Sequence, residues 1–196
     1  MSLNILQLGE PVLRQPARKL SMEEIRSRET RQLIEEMRKA MYQAPGVGLA
    51  APQVGVPLQV AVIEDKPDYT KDVSPEVLKT RERRPVAFQV IINPKITRLD
   101  KAEVEFFEGC LSLAGFTAVV PRARKVRVEC LDERGEPRAI EASGWYARIL
   151  QHEIDHLHGT IYIDRMRPRT FMHVDNFNRH WKEKEMAEVE RLLRYK

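Results

Sequence analysis

Residues 143–159 constrain the fold more than any other stretch of this 196-residue chain. At helical spacing, Ala147, Leu150, Ile154 and Leu157 fall on one face. Ile149 shares the other with His152, Glu153 and His156. A helix apolar on nearly every side belongs in a core, and Gly159 provides its C-terminal stop. Two imidazoles and a carboxylate are costly to bury unless bound or paired. The fold must therefore wrap this helix and give those groups a partner, and one metal ion would satisfy all three.

The same residues read His152-Glu153-Ile154-Asp155-His156, an H-E-x-x-H pattern. Histidines four apart project from one helix face and can grip a single ion, with the glutamate facing its water. One class of zinc proteases extends the pattern to a third histidine. This chain follows the extension through Gly159 and then places Tyr162 where that histidine belongs, which argues against the protease reading. His158 lies about 200° around the helix from His156 and is predicted at the surface. His173 and His180 carry no spacing signal. The better third ligand is Cys110, in Glu108-Gly109-Cys110-Leu111-Ser112, because a thiolate binds borderline metals strongly. By itself such a cysteine is more often a buried thiol. Cys130 alternates with charged neighbours on the apolar side of a predicted strand, which suits a buried structural thiol.

The remaining pattern predicts an α+β fold: a buried metal-binding helix surrounded by antiparallel β-sheets, with an N-terminal helix packed outside. Ser21 and Glu24 form a capping box that opens a predicted helix over 21–42, with Leu33, Met37 and Met41 on its apolar stripe. Strands are predicted at 59–63, 86–92, 104–107, 117–120 and 126–131, and a hairpin turn at 132–135. Residues 65–85 read as a surface loop. Gly46 and Gly48 lack the Lys-Ser/Thr pair of a phosphate loop and follow a helix rather than a strand. The length suits a single domain over 1–196, with 181–196 as a helical tail. A net charge of +4, spread along the chain, allows a polyanionic partner without demanding one, and nothing suggests DNA binding. Two cysteines make no disulfide framework. No apolar run approaches the ~20 residues of a membrane span, and residues 1–10 resemble no leader. The expected setting is the bacterial cytoplasm; a mature organellar form without its presequence would read the same.

Three segments carry a resemblance. Gly46-Val47-Gly48-Leu49-Ala50-Ala51-Pro52-Gln53, Glu108-Gly109-Cys110-Leu111-Ser112 and Gln151-His152-Glu153-Ile154-Asp155-His156 resemble, in order, the three signature motifs of peptide deformylase. The opening Gly9-Glu10-Pro11-Val12-Leu13-Arg14 is similar to the family's start. The resemblance implies removal of formate from N-formylmethionyl peptides of nascent chains. It assigns Cys110, His152 and His156 to the metal, and proton transfer to Glu153. It gives the Gln53 amide and the Leu111 backbone N–H to the oxyanion. Val47 is implied to border the methionine pocket, and Gly48 and Gly109 to pair with an extended peptide. Glu108, Arg122 and Asp155 are candidates to orient the ligands. The implied ion is Fe2+, with Zn2+, Ni2+ or Co2+ able to substitute. Leu113-Ala114-Gly115-Phe116 replaces a common proline, and Thr117 stands where some members carry arginine. With Ser143-Gly144-Trp145 and Arg169-Thr170-Phe171, these departures resemble the mitochondrial and plant branch, which also occurs in bacteria. Some deformylases dock on the ribosome through a C-terminal helix, which makes the tail a candidate for transient ribosome contact.

Overall fold

The computed structural model describes residues 3–195. The Ser21 capping box forms: the Ser21 hydroxyl accepts from the Glu24 N–H, and the Glu24 carboxylate from the Ser21 N–H. The predicted single helix is instead two, α1 (Met22–Arg26) and α2 (Arg28–Gln43). Ser27 is extended between them (φ −66°, ψ 160°) and caps α2 by accepting from the Thr30 N–H. A second serine offering its own cap outcompetes continuation of the first helix. The buried stripe of α2 runs through Ile34, Met37, Ala40 and Met41, leaving Leu33 only half-buried.

The chain continues through β1 (Gly48–Ala50), β2 (Val60–Asp65), α3 (Pro75–Thr80), β3 (Val86–Arg98), β4 (Glu103–Cys110), β5 (Leu113–Ala123), β6 (Lys125–Leu131) and β7 (Pro137–Ser143). Then come α4 (Gly144–Leu157), β8 (Met172–His173), α5 (Val174–His180) and α6 (Met186–Leu193). The predicted loop over 65–85 is a correction. It holds a short 3-10 turn (Pro67–Thr70) and α3, and its ends are tied by Arg83, which donates twice to the fully buried Asp65 at 2.8 Å. The predicted turn at Gly135 is present, at φ +83°.

Two antiparallel sheets result, one ordered β1-β2-β3-β6-β7 and the other β4-β5-β8. Val60 and Val62 pack towards α2, whereas Ala61 and Ile63 join the cluster around α4. The five-stranded sheet therefore lies between α2 and α4, which explains why β2 reads as a continuous apolar run. Ala147, Leu150, Ile154 and Leu157 of α4 meet Ile91, Val126 and Val128 in that core. Cys130 is buried in the same cluster. On the smaller sheet, Phe107 and Val119 pack against the fully buried Val189 of α6. No helix among the described residues is long and apolar enough to cross a membrane.

Candidate metal centre

Helix α4 carries His152 and His156 one turn apart, and β4 delivers Cys110 to them at its end, where the β4–β5 register shifts. The Sγ and imidazole nitrogens of these three residues lie within 4.8 Å of one another, with Cys110 Sγ and His156 Nε2 at 3.2 Å. Ligand bonds of about 2.0–2.3 Å place donors this close around a single ion. His152 Nδ1 donates to Glu108 Oε2 at 3.0 Å, leaving Nε2 free to ligate. Thiolate plus two imidazoles is a donor set for a borderline divalent metal, and the residues fit one.

Glu108 accepts from three directions. Arg122 Nε and Nη2 donate at 3.0 and 2.9 Å, Arg148 Nη1 at 2.6 Å, and His152 Nδ1 completes the set. Burial opposes ionisation of Glu108, but Arg122, His152 and Arg148 outweigh it and hold the carboxyl well below its ordinary range. Asp155 is buried rather than a surface charge: it pairs with Arg122 and takes Arg165 Nε and Nη2 at 2.6 and 2.7 Å. Burial pulls His152 down, yet Cys110 and Glu108 overcome it and raise its pKa. His156 goes the other way, lowered by burial and then by His152.

Glu153 sits beside the ligands, 3 % exposed. Burial is the largest influence on its carboxyl and pushes it up to about 7; Glu108 adds to the rise, while His152 and Arg122 oppose it. Its Oε2 is buried with no protein hydrogen-bond partner. Gly48 of β1 lies against this carboxylate, and a Cβ there would overlap Glu153 Oε1. The glutamate is thus held by close packing rather than by hydrogen bonds.

Val47, Gly48, Gln53, Gly109 and Leu111 all border one cleft of about 550 Å³ that also reaches His152 and Glu153. Gln53 is locked at its oxygen, which accepts from the Ala50 N–H at 2.8 Å. Its Nε2 donates to Ser112 Oγ at 3.1 Å and lies 3.5 Å from Cys110 Sγ. The Leu111 carbonyl accepts from Gln7 Nε2 at 2.9 Å, which ties the N-terminal segment to the cysteine turn. Thr117 is buried, its hydroxyl donating to the Glu108 carbonyl at 2.8 Å. His158 is exposed as predicted, and His173 caps α5 by accepting from the Asp175 N–H. Arg148, Ser112 and Gln7 were not singled out by the sequence reading. Only Arg148 carried a signal, as a lone cation on a helix otherwise predicted to be buried.

Fold and site together define a Cys/His/His cluster able to hold one metal ion, wrapped by antiparallel sheets, with a buried carboxylate beside it. The chain belongs to the polypeptide deformylase family, whose sequence model matches residues 2–172. It is 49 % identical over 175 residues to peptide deformylase 1A, chloroplastic, of Solanum lycopersicum, covering 89 % of this chain and 63 % of that protein. To the mitochondrial peptide deformylase of Homo sapiens it is 40 % identical over 171 residues, 87 % of this chain and 70 % of that one. The chain thus spans a little under two thirds of the tomato protein's length. A Met-Ala-Ser-bound crystal structure of a class I type b peptide deformylase from Acinetobacter baumannii matches with a TM-score of 0.75 at 31 % identity, covering 85 % of this chain and 99 % of that one.

Proposed function

We propose that this chain removes the formyl group from the N-terminal formyl-methionine of newly synthesised proteins, with Cys110, His152 and His156 holding Fe2+. The observation that carries this reading is the buried Glu153 carboxylate beside the ligand trio, lining a cleft whose roughly 550 Å³ can take a side chain and an extended backbone. When bound, a divalent ion here supplies Lewis acidity to water and to the formyl carbonyl. Glu153 accepts the proton that water loses and delivers it to the departing amine nitrogen. The C–N bond of the formamide breaks, a C–O bond to water's oxygen forms, and formate and a free N-terminus leave. The Gln53 amide and the Leu111 N–H stand on the cysteine side of the cleft, where they can donate to the carbonyl oxygen as charge builds. Val47 borders the space for the methionine side chain. Gly48 and Gly109 present backbone from β1 and β4 to an extended peptide, and main-chain pairing is blind to side chains. The tripeptide in the A. baumannii structure supports a peptide in the equivalent cleft.

Fe2+ is preferred on the family resemblance; Zn2+, Ni2+ and Co2+ suit the same donors. The whole chain is read as one catalytic unit, supported by the packing of α6 on the smaller sheet. A ribosome contact through the tail would use the charged face of α6, since Val189 is buried. Relatives include chloroplastic, mitochondrial and bacterial proteins; for this chain we favour the bacterial cytoplasm, with a mature organellar form as the alternative. The test is formate release from formyl-Met-Ala-Ser beside an acetyl-Met-Ala-Ser control, with the wild type and with Glu153→Gln. Formate from the formyl peptide alone, and at least a ~100-fold slower rate in the metal-loaded variant, is the expected result. No formate from the metal-loaded wild type would refute it.

A further inference from the structure

We propose that Arg148 is a positioning residue for the metal centre, acting through Glu108 on His152 and so setting how firmly the ion is held. The inference rests on the reading of Cys110, His152 and His156 as ligands.

Arg148 lies one helical turn before His152 on α4 and is 2 % exposed. Both side chains reach the same carboxylate on β4, two residues before Cys110. The four hydrogen bonds to Glu108 divide evenly. Oε1 takes Arg148 Nη1 and Arg122 Nε, whereas Oε2 takes Arg122 Nη2 and His152 Nδ1. That fills the roughly four lone-pair positions of a carboxylate. Without Arg148 one position on Oε1 empties, and the Arg122 fork is left as the sole cationic support of the carboxylate. Glu108 would then orient the His152 ring less firmly.

The guanidinium also anchors main chain. Nη1 donates to the Val120 carbonyl at 2.8 Å and Nη2 to the Val104 carbonyl at 2.6 Å. Arg148 therefore joins the helix that carries both histidines to β4 and β5, the two strands flanking the Cys110 turn. A cation serving only to neutralise Glu108 would be redundant beside Arg122, which already meets both oxygens. The distinct contribution of Arg148 is to link the ligand-bearing helix and the ligand-bearing strand through one planar group. Phe106 packs under it, with the Arg148 Cζ 5.3 Å from the ring centroid, and adds a cation–π contact that limits its movement.

The test follows Co2+ release from the loaded full chain into excess chelator, read from the visible absorption of the Co2+–thiolate site. Arg148→Met keeps length and removes both charge and donors. Arg148→Gln keeps a donor amide without charge, and Arg148→Lys keeps charge without the planar fork. Far-UV circular dichroism reports folding independently. In folded Arg148→Met and Arg148→Gln, release should accelerate by up to about 10-fold, the low end of what losing a direct partner of a metal-bound histidine costs in affinity, because Arg148 acts one contact further out. Arg148→Lys should restore part of the difference. Release at the wild-type rate from either neutral variant would overturn the proposal. So would equal release rates for Arg148→Lys and Arg148→Gln. If Arg148→Met does not fold, Arg148→Gln decides. A wild-type chain that takes up Co2+ but releases no formate would refute the proposed reaction and leave this inference standing. One that takes up no Co2+ would overturn the centre and this role together.

Discussion

Gly48 and Glu153 interlock: the α-carbon of the β1 residue occupies ground so close to the carboxylate that any Cβ would collide with it. Gly48 lies in extended strand, so its requirement for glycine is a matter of space rather than of backbone angle. Gly48→Ala should fold, retain its metal and lose activity, because Glu153 must rotate away to make room. A displacement of about 1 Å at a reacting group can cost ~100-fold in rate. The measurement is kcat/KM for a formyl tripeptide beside metal content. Unchanged kcat/KM would mean that Glu153 relaxes without consequence.

Cys110 and Cys130 are expected to separate cleanly. Burial raises the Cys130 thiol, keeping it protonated and inert, and it packs in the core around α4. Cys130→Ala should cost on the order of 1 kcal/mol of stability and leave metal and turnover in place. Cys110→Ala should lose metal on dialysis together with activity. Elemental analysis showing a full metal complement in Cys110→Ala would remove the cysteine from the ligand set.

The apolar space beside Val47 should discriminate the first residue of the substrate. Burying a methionine side chain is worth about 1.5–3 kcal/mol, so formyl-Met peptides should exceed formyl-Ala peptides by roughly 10- to 150-fold in kcat/KM. Norleucine, matching methionine in shape, should come close to it. Equal kcat/KM for the Ala and Met series would refute the pocket.

The tail packs inward. Val189 of α6 is fully buried against Phe107 and Val119, with Trp181, Met186 and Leu193 around it. Val189→Ala should destabilise by about 1–3 kcal/mol, seen as a lowered thermal midpoint. Deleting residues 182–196 should lower it further, because Phe107 loses its cover next to Glu108. A truncated chain with the wild-type midpoint would return the tail to a purely external role. Salt-sensitive loss of ribosome co-sedimentation in that truncation would show docking as well.

The metal helix was legible because periodicity and chemistry agreed on it: an apolar segment with three costly polar groups has few places to go. The break at Ser27 was not, since two serines six residues apart offered competing caps. β3 was read short because Asn93-Pro94 interrupts the alternation. In the structure Asn93 takes φ +50° and the β3–β6 register shifts between Ile92 and Lys95, so the strand continues through a bulge. The partners of Arg83 and Arg148 lie 18 and 40 residues away, beyond the reach of any local pattern. Sequence could say that a lone arginine on a buried helix needs an acid, but not that Glu108 would be it.

β1 ends one sheet and β4 ends the other, and both border the same cleft. An exposed strand edge ordinarily invites another molecule to add a strand and aggregate. Gly48 of β1 and Phe107–Cys110 of β4 line a slot of about 550 Å³, which suits an extended chain better than the flank of a folded neighbour. On the proposed reaction, that slot sets a deadline for the partner: a polypeptide must present its first residues before they are folded away.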